Sequence, residues 1–333
     1  MSSMNQVAKD YASGALNGWS GSGKPELVRS EFNLLGENFV PFWIARQTKS
    51  TNGQKMFLHW LVRKVLGRDT ANYAQEVGDC VSFGGKNASE YLTCTEIVGQ
   101  AKRVHDTKIM EASKFLEAAR LKFRNIFPPY YYGTGRNYVG RNQSGNEDGS
   151  MGSWMATAVM KYGTLFSDES GVPHYSGNVA RAWGDANSGP DLDKWRGVAQ
   201  HYLIRSAALI RTWDQLVAAI FNGYPCTTAS DIGYDMGASA DGFFRQTTSW
   251  GHQMTIIGID ETYKEHYALI LNSWGDAHGR LKDFQTGEDL PIGILRVRRS
   301  DVEKHLAAGE TFAYSQFDGF PEQDLNKDDF LLI

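Results

Sequence analysis

Cysteine is scarce: three residues in 333, at positions 80, 94 and 226, show neither the spacing of a metal site nor the density of a disulfide framework. That usage fits a reducing compartment or a fold that does not rely on cross-links. No apolar run approaches the roughly 20 residues of a membrane-spanning helix. The first residues, MSSMNQVAKDYASGALNGWSGSGKPE, contain no basic stretch followed by an apolar one, so no secretory signal is expected. Excess charge is lacking too. With 34 basic and 38 acidic residues the formal net charge is −4, too weak a field to recommend DNA, RNA or an anionic membrane as partner. The one glycine-rich motif, GTGRNYVG from Gly133 to Gly140, has neither the GxGxxG spacing nor the Gly-Lys-Ser/Thr of a phosphate loop. Neither a cofactor nor a metal is expected, and the chain reads as a soluble product of the cytoplasm.

What is present is a core and three chemically suggestive segments. A hydrophobic content of 41% over 333 residues suffices for one large domain or two lobes. GDCVSF surrounds Cys80, SWGHQMTIIGID surrounds His252, and LILNSWGDAHG surrounds Asn272. A thiol attacks a carbonyl as thiolate, so it needs a base beside it, and the base needs a third group that fixes its ring. Cys80, His252 and Asn272 have the right types in a workable order. Each alone has an ordinary structural reading: a lone cysteine is usually a small buried apolar residue, which is how Cys94 and Cys226 are read. The apolar run Met254–Ile257 and the alternation over Tyr267–Leu271 place His252 and Asn272 on strands.

These segments resemble the papain-like cysteine peptidases, whose signatures are a Gly-x-Cys helix start, a histidine opening an apolar strand, and an Asn-Ser-Trp-Gly turn. Asn272-Ser273-Trp274-Gly275 is an intact match; around the nucleophile only Gly78, Cys80 and Phe83 fit, with Asp79 where a small residue is expected and Val81 in place of an aromatic. The separations from Cys80 exceed the family's interval of about 130 to 150 residues, which requires an insertion. The resemblance implies an α+β fold of two lobes, a helical lobe facing a β-barrel-like one, with the site between them and a peptide or protein as substrate. It also implies Cys80, His252 and Asn272 as catalytic residues, Gln75 as an oxyanion donor, Trp274 as the shield of the Asn-to-His bond, and Gly149, Met151 and Gly152 as substrate contacts. Asp79, so close to the thiol, would raise its pKa unless it points away.

Along the chain, residues 1–70 read as an N-terminal extension, whether arm, propeptide-like segment or accessory layer. Residues 71–205 read as the helical lobe and 206–333 as the β-rich lobe. GWSGSGKPE suggests a flexible stretch, Gln54–Leu66 a helix, and the span from Cys80 through Val98 a helix bearing the nucleophile at its start. Residues 128–152 read as an exposed loop, followed by a helix over Ser153–Tyr162. Thr212 and Gln215 form a capping box opening a helix over Trp213–Asn222. Strands are expected at Pro225–Ala229, Gly242–Gln246, Gln253–Asp260, Tyr267–Asn272 and Ile292–Arg298, then a helix capped by Ser300 and Glu303 through Ala307, and a last strand in ETFAYSQFDGF. A rival reading keeps the fold without the chemistry: a structural or binding component of a larger assembly, such as a virion, joined through the N-terminal arm and the apolar tail Phe330–Ile333. A third keeps the Cys-His-Asn framework for another amidase or acyl transfer.

Overall fold

The computed structural model describes residues 16–40, 55–108, 110–187 and 189–315. The architecture is α+β, with helices concentrated in the first two thirds and a seven-stranded antiparallel sheet whose strands, apart from Lys55–Phe57, all lie beyond residue 205. Among the described residues no helix is long and apolar enough to cross a membrane. In chain order the elements are α1 (Pro25–Leu35), β1 (Lys55–Phe57), α2 (His59–Leu66), α3 (Cys80–Asp106), α4 (Ala112–Arg120), α5 (Pro128–Gly133), α6 (Gly152–Lys161), α7 (Gly177–Gly184) and α8 (Leu192–Ala199). They continue as β2 (Ser206–Leu209), α9 (Trp213–Phe221), β3 (Cys226–Tyr234), β4 (Gln246–Asp260), β5 (Tyr267–Leu271), β6 (Ile294–Arg298), α10 (Arg299–Ala307) and β7 (Glu310–Ser315).

The sheet order is β2-β7-β3-β4-β5-β6, with β1 added to β4. β4 is long enough to take three partners: β3 along Gln246–Ile256, β5 along Thr255–Asp260, and β1 along Gly258–Asp260. Residues 255–260 are fully buried, as the apolar run TIIGI requires. The helix expected over Gln54–Leu66 is thus a strand and a shorter helix, because Met56 and Phe57 bury themselves better by pairing with Ile259 and Gly258 than by turning.

α3 is buried for most of its 27 residues, which brings an ion pair into the interior. Lys86 Nζ lies 2.9 Å from Glu90 Oε2, both side chains at most 1% exposed. The pair is anchored on both sides, since Lys86 donates to Ala71 O at 2.6 Å and Glu90 Oε1 accepts from Ile126 N at 3.0 Å.

The loop predicted over 128–152 is a correction. Pro128 and Pro129 open helix α5, where proline forfeits no hydrogen bond, and a π-helical turn follows at Thr134–Val139. Tyr130, Tyr131 and Tyr132 are buried. Their rings supply apolar area while their hydroxyls find partners, Tyr130 on Tyr162 O at 2.9 Å and Tyr131 with Thr164 Oγ1 at 2.7 Å. Arg136 is buried with no carboxylate partner among the described residues. It donates to the carbonyls of Gly145, Glu147, Gly149 and Gly184 and so shapes the turn leading to α6.

Other boundaries move further: the strand expected at Pro225–Ala229 runs over Cys226–Tyr234, that expected at Gln253–Asp260 begins at Gln246, and the helix from Cys80 extends to Asp106. Gly242–Arg245 is no strand: Phe244 N reaches Arg296 O in a single bond, and pairing begins at Gln246. Thr212 accepts from Gln215 N as a cap should, but Gln215 Oε1 turns to Arg211 N. α10 starts at Arg299 with no side-chain cap; His305 fastens it instead, bridging Ser230 Oγ at 2.7 Å and Tyr234 OH at 2.6 Å on β3. The final strand is described over Glu310–Ser315; residues 316–320 of the expected strand and the tail Phe330–Ile333 lie outside the described residues.

Removing one member of a buried pair strands the other charge. Lys86→Met is expected to lower stability by about 3–5 kcal/mol, read as a fall in the urea midpoint. A midpoint within error of the wild type would show that Glu90 is already neutral or hydrated.

Candidate active site

Cys80 is the first residue of α3, where unpaired helix N–H groups favour an anion. Its Sγ accepts from Gln253 N on β4 at 3.4 Å. Two further bonds seal the helix to that strand: Gln253 Nε2 to Val81 O at 3.1 Å and Thr255 Oγ1 to Gly84 O at 3.0 Å. The sulfur therefore sits beside the residue that follows His252 in β4.

His252 Nε2 lies 2.8 Å from Asn272 Oδ1. Asn272 directly follows β5, and Ser273 N donates to the same oxygen at 2.7 Å. Trp274 covers the pair, its ring centroid 4.8 Å from that of His252. His252 and Asn272 meet as the sequence predicts, with Trp274 over them. His252 Nδ1 has no hydrogen-bond partner among the described residues, so no bond joins it to the thiol.

Gln75 lies on the approach to α3, tied to the Asn272 turn. Its N–H donates to Ser273 O at 2.8 Å and its Oε1 accepts from Ser273 Oγ. The carboxamide Nε2 donates to Val77 O at 2.9 Å and to Leu16 O at 3.2 Å. Asp79 points away from the sulfur toward Tyr175 OH, 3.1 Å from Oδ2. Burial pushes its carboxyl well above the usual range, with the Tyr175 bond opposing.

The GWSGSGKPE stretch corrects another expectation, for it is held across the site. Trp19 N donates to Gly251 O at 3.0 Å, Ser20 N to Ser150 O at 2.8 Å, and Ser150 N to Gly18 O at 2.8 Å. Ser22 Oγ and Gly23 N both donate to Asp231. The Trp19 indole N–H donates to Glu310, whose carboxylate also caps α6 through Gly152 N and Ser153 N at 3.0 Å each. Glycine is required here: a Cβ on Gly18 would stand 2.1 Å from Gly78 O.

Of the expected substrate contacts, Gly152 reaches Glu310, Met151 is fully buried, and Gly149 turns with φ +121° while its groups bond Tyr132 and Arg136. The backbone that pairs with the segment belongs to Ser150, which sequence reasoning passed over. It also missed His278, whose Nε2 lies 2.7 Å from Asn272 Nδ2. The available signal was its place six residues on, within the same glycine-bounded turn.

Covered in this way, the site is neutral. Burial drives the Cys80 thiol up to about 12; the N–H bonds from Gln253 and Gly18 oppose it and Asp79 adds to it. His252 is lowered to about 4, again chiefly by burial, with the Asn272 bond opposing.

No family model matches the chain, and no curated protein matches it in sequence. Solved structures do. The Amb a 11 cysteine protease, a ragweed pollen allergen, in its proform is similar at a TM-score of 0.50 and 15% identity, over 90% of this chain and 75% of that one. Xylellain, a cysteine protease from Xylella fastidiosa, matches at 0.49 and 14%, over 84% and 95%. Procathepsin L 3 from the larval midgut of Tenebrio molitor matches at 0.49 and 12%, over 86% and 79%. The likeness to Amb a 11 shows that the fold is papain-like.

Four buried imidazoles, His59, His252, His278 and His305, are lowered by burial to about 3, 4, 4 and 3. Below pH 6.5 the unfolded chain binds protons on them that the fold does not. Their contribution is therefore complete above pH 6.5 and is lost as pH falls toward 4. Asp79 and Glu310, raised by burial, act in the opposite sense and reduce the slope that the four rings set. The urea midpoint should fall steadily from pH 6.5 to 4.5; a flat profile would show these rings hydrated.

Proposed function

We propose that the protein is a papain-like cysteine hydrolase of peptide or amide bonds. The observation that carries the reading is the ordered pair His252–Asn272, with Nδ1 left bare on the strand whose next N–H holds the Cys80 sulfur. In the proposed reaction Cys80 Sγ attacks the carbonyl carbon while His252 Nδ1 takes the thiol proton. The oxyanion is met by the Cys80 N–H and Gln75 Nε2, the latter now occupied by the carbonyl of Leu16, which stands in for a substrate oxygen. His252 returns the proton to the leaving amine, and the thioester is released by water with the same ring as base. Asn272 holds the ring throughout, and Trp274 keeps water from the bond between them.

A peptide is the fitting substrate because main-chain groups of Ser150 and Gly251 already pair with the backbone of Gly18, Trp19 and Ser20. The segment Leu16–Gly23 acts in this reading as a cover that leaves before turnover. Once water reaches Cys80 and His252, the desolvation that holds both neutral is relieved. A second reading, a non-catalytic part of an assembly, is favoured by the buried sulfur and the absent thiol–imidazole bond.

Labelling separates the two. An electrophilic peptide analogue should modify Cys80, not Cys94 or Cys226, and the mass shift should vanish in Cys80→Ala and fade in His252→Ala. Labelling that survives both changes would remove the site. Gln75→Ala should lower turnover by about 10²–10³-fold with the fold intact; unchanged turnover would take Gln75 out of the reaction.

The cover has its own test. Gly18→Ala cannot seat beside Gly78 O, so Cys80 should alkylate faster, by about tenfold or more if the seated segment is worth at least ~1.4 kcal/mol. An unaltered rate would mean that Leu16–Gly23 does not guard the thiol.

A further inference from the structure

Asn272 lies between two imidazoles, and its amide is completely buried. Elimination fixes the hydrogens. Ser273 N–H can only donate, so the Asn272 atom it meets at 2.7 Å is the oxygen. The same oxygen lies 2.8 Å from His252 Nε2, which must then carry a proton. The amide nitrogen faces His278 Nε2 at 2.7 Å. A proton on that ring atom would set two donors head to head, so the His278 proton sits on Nδ1, toward Met236 O at 3.4 Å. One proton per neutral ring leaves His252 Nδ1 as a lone pair.

We propose that His278 is a positioning residue: by accepting from Asn272 Nδ2 it locks the carboxamide and, through it, holds His252 in the tautomer whose bare nitrogen is the base. The proposal rests on the reading of His252 as that base. Ser273 secures one end of the carboxamide and His278 the other. Without an acceptor, Asn272 Nδ2 would be a buried donor with no water to meet it, and the side chain would turn to find one. The His278 ring also stacks on Trp274, centroids 5.5 Å apart, so packing is the rival explanation. Two substitutions divide the roles. His278→Gln keeps an acceptor and loses the ring; His278→Phe keeps the ring and loses the acceptor.

Ring-nitrogen NMR at neutral pH on the full chain reads the tautomers directly. The wild type should show His252 protonated at Nε2 and His278 at Nδ1. His278→Phe should depopulate the Nε2–H form of His252 and cut kcat by about tenfold or more, with KM within about twofold; His278→Gln should restore both. A wild-type His278 protonated at Nε2 overturns the proposal without any variant. So does a His278→Phe spectrum like that of the wild type, or a His278→Gln as damaged as His278→Phe. The tautomers need no turnover, so an inactive wild type would sink the hydrolase reading while the spectrum still judged His278.

Discussion

The site depends on how closely the first two turns of α3 lie on β4. Gly84 makes that approach possible, since a Cβ there would stand 2.8 Å from the Gln253 amide; Gly85 serves the packing of α3 against α6, where a Cβ would stand 2.2 Å from Met155 Cε. Each glycine costs a helix about 1 kcal/mol relative to alanine. Bonds from Gln253 and Thr255 to the carbonyls of Val81 and Gly84, together with complete burial, offset that cost. The sulfur is fixed by the same contact. Because Gln253 donates its main-chain N–H to Cys80 and its side chain to Val81, one residue sets both the distance and the rotation of the helix on the strand.

From that seam the polar groups extend in one direction as a continuous chain. Cys80 meets β4, His252 leaves β4 for Asn272, and Asn272 is held by Ser273 and His278. Gln75 closes the loop by pairing its backbone and side chain with Ser273. The approach to Cys80 and the asparagine turn are therefore one bonded unit, although almost 200 residues separate them in sequence. Burial is the largest influence on every ionisable group in this unit, which is why neutral forms prevail while the groove is filled.

Much of this was legible in the sequence because it is written as periodicity. The run after His252 and the alternation before Asn272 specify buried strands, and those strands pair in register, Ile256 with Ile270 and Thr255 with Leu271. The capping threonine of α9 and the helix that opens at Cys80 were equally plain. What stayed hidden depends on partners far away. Glycine and serine at 18–23 read as slack, yet Gly18 is small because it presses on Gly78. Tyrosines at 130–132 sit in a stretch whose polar neighbours suggest a loop, but their hydroxyls are satisfied inside. Ser150 has no distinguishing chemistry because it contributes its backbone, and His278 becomes meaningful only once the turn has folded over Asn272. Local pattern specifies the elements; these contacts arise from their assembly.

The tether of Leu16–Gly23 to the body it covers has a kinetic and thermodynamic consequence. In the proposed reading, a covalently joined occupant competes with free peptide at an effective concentration set by its tether. A free peptide of equal intrinsic affinity must therefore be present at comparable levels to take its place. Severing the chain between this stretch and α1 would turn the same contacts into a bimolecular equilibrium, which dilution alone can empty.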